Sequence, residues 1–462
     1  MTIETDYLVV GAGASGMAFA DALVARSDAD VVLVDRRHRP GGHWSDDYQF
    51  VRLHQPSAYY GVDSLALGAD RVDEAGPNAG FYERATGAEM CAYYDRVLAE
   101  TLLPTGRVRF LPMTDYLGEA SGEHSVVSLL TGRASSIRVR RRIVDASYIA
   151  TKIPSMHRPS FSVEPGARLI APNDLLRIPE PASAFTIIGA GKTSMDSVCW
   201  LVDQGVSPDA IRWIRPRDPY VLDRAWTQPL KHVGSFAEWL ARQYEAAAAA
   251  QSREDFLQRL EENRVLRRLD PSVRPAVYRG ATLSAGEHET MARVENVVRL
   301  GRVLHIGLDS IQLDGGFVPI QPGEVHIDCS AHGVSSPPAR PIFEDARITI
   351  QRIQAGIDPF SAALIGVVES SERADEEKNR LCPPNPVNWE ALDFADALLI
   401  TLESRAAWIG ETDLRDWLAV TRLSPFRGAA EFLDERGREA VMRMLASTPA
   451  AIKNLKRIVH DR

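Results

Sequence analysis

The sequence predicts an α/β protein with two Rossmann-like, doubly wound dinucleotide-binding domains and a mainly helical C-terminal region. Three observations predict it. Gly11-Ala12-Gly13-Ala14-Ser15-Gly16 directly follows the apolar run Tyr7-Leu8-Val9-Val10. Gly189-Ala190-Gly191-Lys192-Thr193-Ser194 directly follows Phe185-Thr186-Ile187-Ile188, and from Trp389 onward the pattern is largely helical. A glycine-rich turn between strand and helix is the setting in which such a motif holds phosphate, because backbone can approach closely and the helix start presents N–H groups. The turns lie 178 residues apart (189 − 11). Two of them imply two dinucleotides held close together, as hydride transfer between them requires.

The elements follow in order. Met17 to Arg26 is alanine-rich with apolar residues at helical spacing, and Val31-Val32-Leu33-Val34 suits a buried parallel strand. Residues 41 to 80, rich in Gly, Pro, Tyr and Asp, read as loops. Cys91 to Leu103 reads as a helix, Arg107 to Leu111 as a strand, and the short runs Ser125 to Leu130, Ile137 to Val139 and Arg142 to Val144 as an antiparallel layer. Prolines 154, 159, 165 and 172 mark a connector. The second unit runs from Phe185 through a helix at Thr193 to Gln204, stopped by Gly205, into a strand at Ala210 to Ile214. Phe236 to about Leu269 is strongly helix-forming, and its run Ala246 to Ala250 is expected on a surface helix. Arg299 to Ile306 and Val325 to Cys329 are further strands. The expected domains are 1–165, the first part of one dinucleotide domain; 166–324, the second, with a helical insertion at 236–269; and 325–462, a return to the first domain and a helical tail.

Composition narrows the function. The chain has 462 residues, 45% hydrophobic and 25% charged, with a net charge of −9, which suits a multidomain globular protein and gives no support to nucleic-acid binding. The basic run Arg138-Val139-Arg140-Arg141-Arg142 reads as solvated surface. Cys91, Cys199, Cys329 and Cys382 are scattered, so they form neither a zinc site nor the close thiol pair that disulfide reductases need. No metal is expected. Without a signal-like segment or an apolar run long enough to span a bilayer, the expected location is cytoplasmic, with no membrane partner. The sequence leaves open whether the chain forms a homo-oligomer.

In the first turn Gly11 permits the sharp bend, Gly13 the approach of backbone to a pyrophosphate, and Gly16 close helix–strand packing, with Ala14 and Ser15 at the helix start. Asp35 ends the next strand 19 residues after Gly16 (35 − 16), where an acid accepts from a ribose hydroxyl pair. In the second turn Gly189 and Gly191 match the first two glycines and Ser194 takes the third place. Thr193 and Ser194 can donate to phosphate, and Lys192 either adds charge there or faces solvent. A P-loop is excluded because Thr186 stands where its first glycine belongs. The following strand ends in Arg215, 21 residues after Ser194 (215 − 194), with Arg217 beyond and no acid selecting NAD. Arginine there suits the 2′-phosphate of NADPH. The competing reading has these arginines paired with Asp218 or Asp223.

Beyond Asp35, Arg36-Arg37-His38-Arg39-Pro40-Gly41-Gly42-His43-Trp44 forms a Gly-Gly-x-Trp turn. With the two glycine-rich turns and the segment Asp328-Cys329-Ser330-Ala331-His332-Gly333, it resembles the class B flavoprotein monooxygenases, the flavin-containing and Baeyer–Villiger superfamily, over most of the chain. The resemblance implies FAD at the first turn, near Arg36, Gly42, His43 and Trp44, and NADPH at the second. It implies hydride transfer to the flavin, and O2 and a small-molecule substrate oxygenated through a flavin C4a-(hydro)peroxide. It places Leu53-His54-Gln55-Pro56-Ser57 beside the flavin, with Gln55 in a polar position and His54 either a proton donor or acceptor or a residue that only bonds its own loop. Val163 to Asn173 carries no Phe-x-Gly fingerprint with a following His, which indicates a divergent branch. A flavin dehydrogenase or oxidase on the same fold, or a non-catalytic dinucleotide sensor, remains an alternative.

Overall fold

The computed structural model describes residues 2–120, 122–354, 356, 358–386 and 389–460. Two parallel sheets organise it. In the first, Thr2–Val10 lies between Val31–Val34 and Ala134–Asp145, flanked by Val108–Leu111 on one side and Arg347–Thr349 on the other, all parallel. In the second, Phe185–Ile188 lies between Ile211–Ile214 and Val325–Asp328, with Val297–Val298 and Leu169–Ile170 outside them. The central strands read as continuous apolar runs because both faces are covered.

The two sheets repeat one device. Ala146, just past the strand Ala134–Asp145, packs on Gly11, where an added Cβ would lie 3.5 Å from its carbonyl carbon. Cys329, just past Val325–Asp328, packs on Gly189 so closely that a Cβ would come within 2.6 Å of its carbonyl oxygen. From these two points the chain crosses between the units. Thr151–Lys152 and Gly333–Val334 pair antiparallel, so both crossings form one ribbon.

Several expectations need correction. The helix expected from Cys91 begins at Gly87, where Thr86 and Glu89 form a capping box; reciprocal capping overrides the weak propensity of glycine. Of the three short runs, the first becomes Glu123–Ser128 and the other two merge into one long strand, Ala134–Asp145, whose arginines pair with Glu4, Glu123, Asp6 and Asp30, and a further strand, Thr114–Ala120, precedes them. The helical segment at 236–269 is two helices, Val233–Ala249 and Arg253–Glu262, broken where the Ser252 hydroxyl accepts from the Asp255 N–H. Its alanine run is largely interior, with only Ala249 exposed. Ala246, Ala247 and Ala250 are buried with Ala451 and Leu455 of the last helix, Glu435–His460, because small side chains let two helices approach closely. The boundaries at 166 and 325 also move. Ser162–Val163 already pairs with Val303–Ile306, and Val325–Asp328 is itself a strand of the second sheet, so the return to the first begins after it.

The helical C-terminal region binds both units. Asp358–Glu369, buried from Pro359 onward, packs on Ala14–Val24, and Gly366 is the contact point: a Cβ there would lie 2.7 Å from the Phe19 carbonyl oxygen. Gly366→Val is expected to cost about 3 kcal/mol by overpacking, read as a lowered Tm. An unchanged Tm would show that the helix can shift. No helix among the described residues is long and apolar enough to cross a membrane.

Candidate functional site

The first turn is held by main chain and one carboxylate. Gly11 takes φ +103°, in the left-handed region, and its N–H donates to the Val34 carbonyl at 2.8 Å. A Cβ on Gly16 would sit 1.9 Å from the Gly11 carbonyl oxygen, so only glycine allows the helix to start this close to the strand. Asp35 is buried. Its two oxygens accept from the N–H groups of Ala12 (2.7 Å) and Arg37 (2.8 Å), which ties the strand end to the turn. The Gly41 N–H donates to the Ala12 carbonyl at 2.8 Å, and Gly42 faces Gly13, Cα close to Cα. The Gly-Gly-x-Trp turn thus closes over the glycine turn.

The helix Ala14–Val24 has no side-chain cap and no acid in its first turn; Lys192–Asp203, after the second turn, has neither. By contrast Thr86, Ser252 and Ser284 cap the helices they precede. Uncapped N–H groups are what an anion needs. The buried indole N–H of Trp44 lies near the Tyr60 hydroxyl and the Ser45 hydroxyl near the Cys91 thiol, without a hydrogen bond of good geometry at either. His43 stacks on Trp44, ring centroids 5.0 Å apart, and burial, with Arg37 nearby, lowers its pKa to about 4. Arg36 points outward to Asp115 at 2.8 Å.

In the second turn Gly189 (φ +127°) donates its N–H to the Ile214 carbonyl at 3.0 Å, and the Trp213 indole donates to the Gly189 carbonyl at 2.7 Å. Ser194 fills the third glycine position because its hydroxyl folds back onto the Gly191 carbonyl at 2.7 Å. Thr193 is half-buried. Lys192 pairs with Asp196 one turn along the helix, whose other oxygen accepts from the Tyr48 hydroxyl at 2.8 Å. Arg215 lies over Trp213 at 4.8 Å and pairs with Asp218 at 3.1 Å, while Arg217 reaches Glu390 at 2.9 Å.

The structure brings His54 to the boundary between the units. Its carbonyl accepts from the Thr282 hydroxyl at 2.6 Å, and the Leu53 carbonyl accepts from Arg84 at 3.1 Å. Burial, with Lys192, Arg84 and Arg224 outweighing Asp196, lowers the His54 pKa to about 4, so the imidazole is neutral near pH 7. Gln55 is half-buried next to it. Beneath this loop lies a buried triad: Glu287 accepts from Arg84 at 3.2 Å and from Arg224 at 2.6 Å. Asp47, beside the Tyr48–Asp196 contact, is raised to about 7 by burial.

Sequence reasoning missed Ser45, Tyr48, Arg84, Asp196, Arg224 and Glu287. Only the Ser284–Glu287 capping box left a local signal; Arg84 and Glu287 are 203 residues apart, and nothing in the sequence pairs them. Among the described residues no group of His, Cys, Asp and Glu could hold a metal ion.

Two parallel sheets, each with a glycine turn at its carboxyl edge and joined by a two-stranded crossing, give the chain a two-domain, Rossmann-like fold. A family model for an NAD(P)-binding Rossmann-like domain matches residues 9–66. A cyclohexanone-bound cyclohexanone monooxygenase superposes with a TM-score of 0.51 at 12% identity, over 94% of this chain and 99% of that one. A variant of the enzyme from Rhodococcus sp. Phi1 bound to NADP+ gives 0.50 at 13% identity, over 86% and 91%. Within that fold the chain belongs to the family of the uncharacterized protein Rv2000 of Mycobacterium tuberculosis (strain H37Rv) and Mb2023 of Mycobacterium bovis. To each it is 45% identical over 424 residues, 92% of this chain and 78% of theirs.

Proposed function

We propose that the protein is an FAD-dependent, NADPH-reduced monooxygenase that places one oxygen atom of O2 into a small organic substrate. The observation that carries this reading is the pair of uncapped helix starts, each behind a left-handed glycine on its own sheet.

The residues present fit both groups. At the first turn the N–H groups of Gly13, Ala14, Ser15 and Gly16 would take the FAD pyrophosphate. Each Asp35 oxygen keeps a lone pair for a ribose hydroxyl, and the Trp44 N–H and Ser45 hydroxyl, each short of a well-formed hydrogen bond, would donate to the flavin nucleotide. At the second, Gly189, Gly191, Thr193 and Ser194 hold the NADPH pyrophosphate, and Arg215 and Arg217 place positive charge at the adenosine end. The bound flavin supplies hydride acceptance and oxygen activation. Neutral His54 holds one ring proton beside Gln55 and can give or take a hydrogen bond there. The buried loop around it excludes water.

The purified protein is expected to be yellow, to lose its flavin absorbance rapidly with NADPH under anaerobic conditions, and to transfer one ¹⁸O atom from ¹⁸O2 to product. A colourless protein that stays so after reconstitution with FAD defeats the reading. NADPH oxidation without incorporation makes the protein an oxidase or dehydrogenase instead.

A further inference from the structure

One run of the first unit, residues 41–50, reaches from its glycine turn to the core of the second. At its start the Gly41 N–H donates to the Ala12 carbonyl at 2.8 Å, and Gly42 lies against Gly13. At its end Phe50 packs against the core of the second sheet, stacked on Trp200 with ring centroids 4.9 Å apart. Between these ends the Asp46 carbonyl accepts from the Asn173 side-chain amide at 3.0 Å and from the Ser155 hydroxyl at 2.6 Å. Tyr48 is buried and donates its hydroxyl to Asp196 at 2.8 Å. Burial and the Asp196 charge push the Tyr48 pKa well up, so the hydroxyl keeps the proton it donates.

The receiving surface is the helix Lys192–Asp203, which opens directly behind the second glycine turn. Lys192, Asp196 and Trp200 recur every four residues and share one face of it. Asp196 therefore joins Tyr48 of the first unit to Lys192, the first residue of the helix. A charge-assisted bond and an aromatic stack on successive turns hold the helix against the run in both position and rotation. The Arg84–Glu287 pair also joins the units, but neither residue belongs to a glycine turn or to the helix behind one. Within the run, the Trp44 N–H and the Ser45 hydroxyl lack a hydrogen bond of good geometry, so a group bound at the first turn can tighten this stretch.

We infer, resting on the assignment of FAD and NADPH to the two turns, that residues 41–50 couple them, so that each nucleotide strengthens the binding of the other. Tyr48, Phe50, Asp196 and Trp200 are the positioning residues. Two ligands couple when one favours the state that the other prefers, and the effect on affinity is then equal in both directions. Here FAD settles the run, the run fixes the helix start, and NADPH meets N–H groups already in place. NADPH in turn keeps the run closed over FAD.

The test is the FAD dissociation constant, read from flavin fluorescence on diluting the flavin-loaded protein with and without saturating NADP+. NADP+ is expected to tighten FAD binding about tenfold in the parent and about twofold at most in Tyr48→Phe and Trp200→Leu. Asp196→Asn, which keeps an acceptor for Tyr48, should fall between. Tyr48→Phe removes a single oxygen and carries the test if Trp200→Leu does not fold. NADP+ should also slow amide exchange across residues 41–50 in the parent but not in Tyr48→Phe, whereas a purely structural tyrosine would leave that slowing intact. Equal FAD affinity with and without NADP+, in a parent that binds both, overturns the coupling and leaves the cofactor assignment standing. Parent-like coupling in Tyr48→Phe and Trp200→Leu overturns the route. A protein that takes up only one of the nucleotides, or neither, overturns the assignment and the coupling together.

Discussion

Glu287→Ala is expected to destabilise the protein by about 3–5 kcal/mol, because removing one partner of a buried ionic group strands the others. Arg224 is fully buried and Arg84 nearly so. Both donate to Glu287, which also accepts from the Ser284 N–H at 2.8 Å as part of its helix cap. Arg84 belongs to the first unit and Glu287 to the second, so the variant should also loosen the His54 loop. The carboxyl group is held down to about 2: burial opposes its charge, but Lys192, Arg224 and Arg84 together outweigh that cost. Since the folded value lies below the unfolded value of about 4.3, its contribution is complete above about pH 5 and is lost as pH falls toward 2. Thermal unfolding between pH 7 and pH 3 should therefore fall less steeply in Glu287→Gln than in the parent. Exposed Glu289→Ala serves as the control. A parent-like Tm for Glu287→Ala would mean that the arginines find other partners and that the triad does not hold the units together.

Substitution at the first turn separates folding from flavin retention. Gly13 has φ −73°, and a Cβ there would make only ordinary contact with Gly42 at 3.6 Å. Gly13→Val should therefore fold, with far-UV circular dichroism like the parent, yet lose its FAD because the side chain occupies the approach of backbone to the pyrophosphate. Gly16→Val meets the Gly11 carbonyl at 1.9 Å and should lose both fold and flavin, at a cost of about 3 kcal/mol or more. A fully yellow Gly13→Val protein would move the pyrophosphate away from this turn.

The sequence determined, unaided, the features governed by local rules. Both glycine turns, the strands before them, Asp35 at its strand end, Gly205 as a helix stop and the helical C-terminal region all rest on periodicity, turn stereochemistry or spacing within about 20 residues of each other. Even there the helix start at Gly87 was lost, since glycine hid a readable Thr86–Glu89 box. Tertiary structure alone decided what depends on contacts across hundreds of positions. It buried Ala246, Ala247 and Ala250 against the last helix, which no local pattern can distinguish from an exposed position. It tied Tyr48 to Asp196 and set Arg84 and Arg224 around Glu287. A charged side chain carries no mark of its partner in the linear chain, because the energy of an ion pair depends on distance and on exclusion of water, and both exist only once the chain has folded.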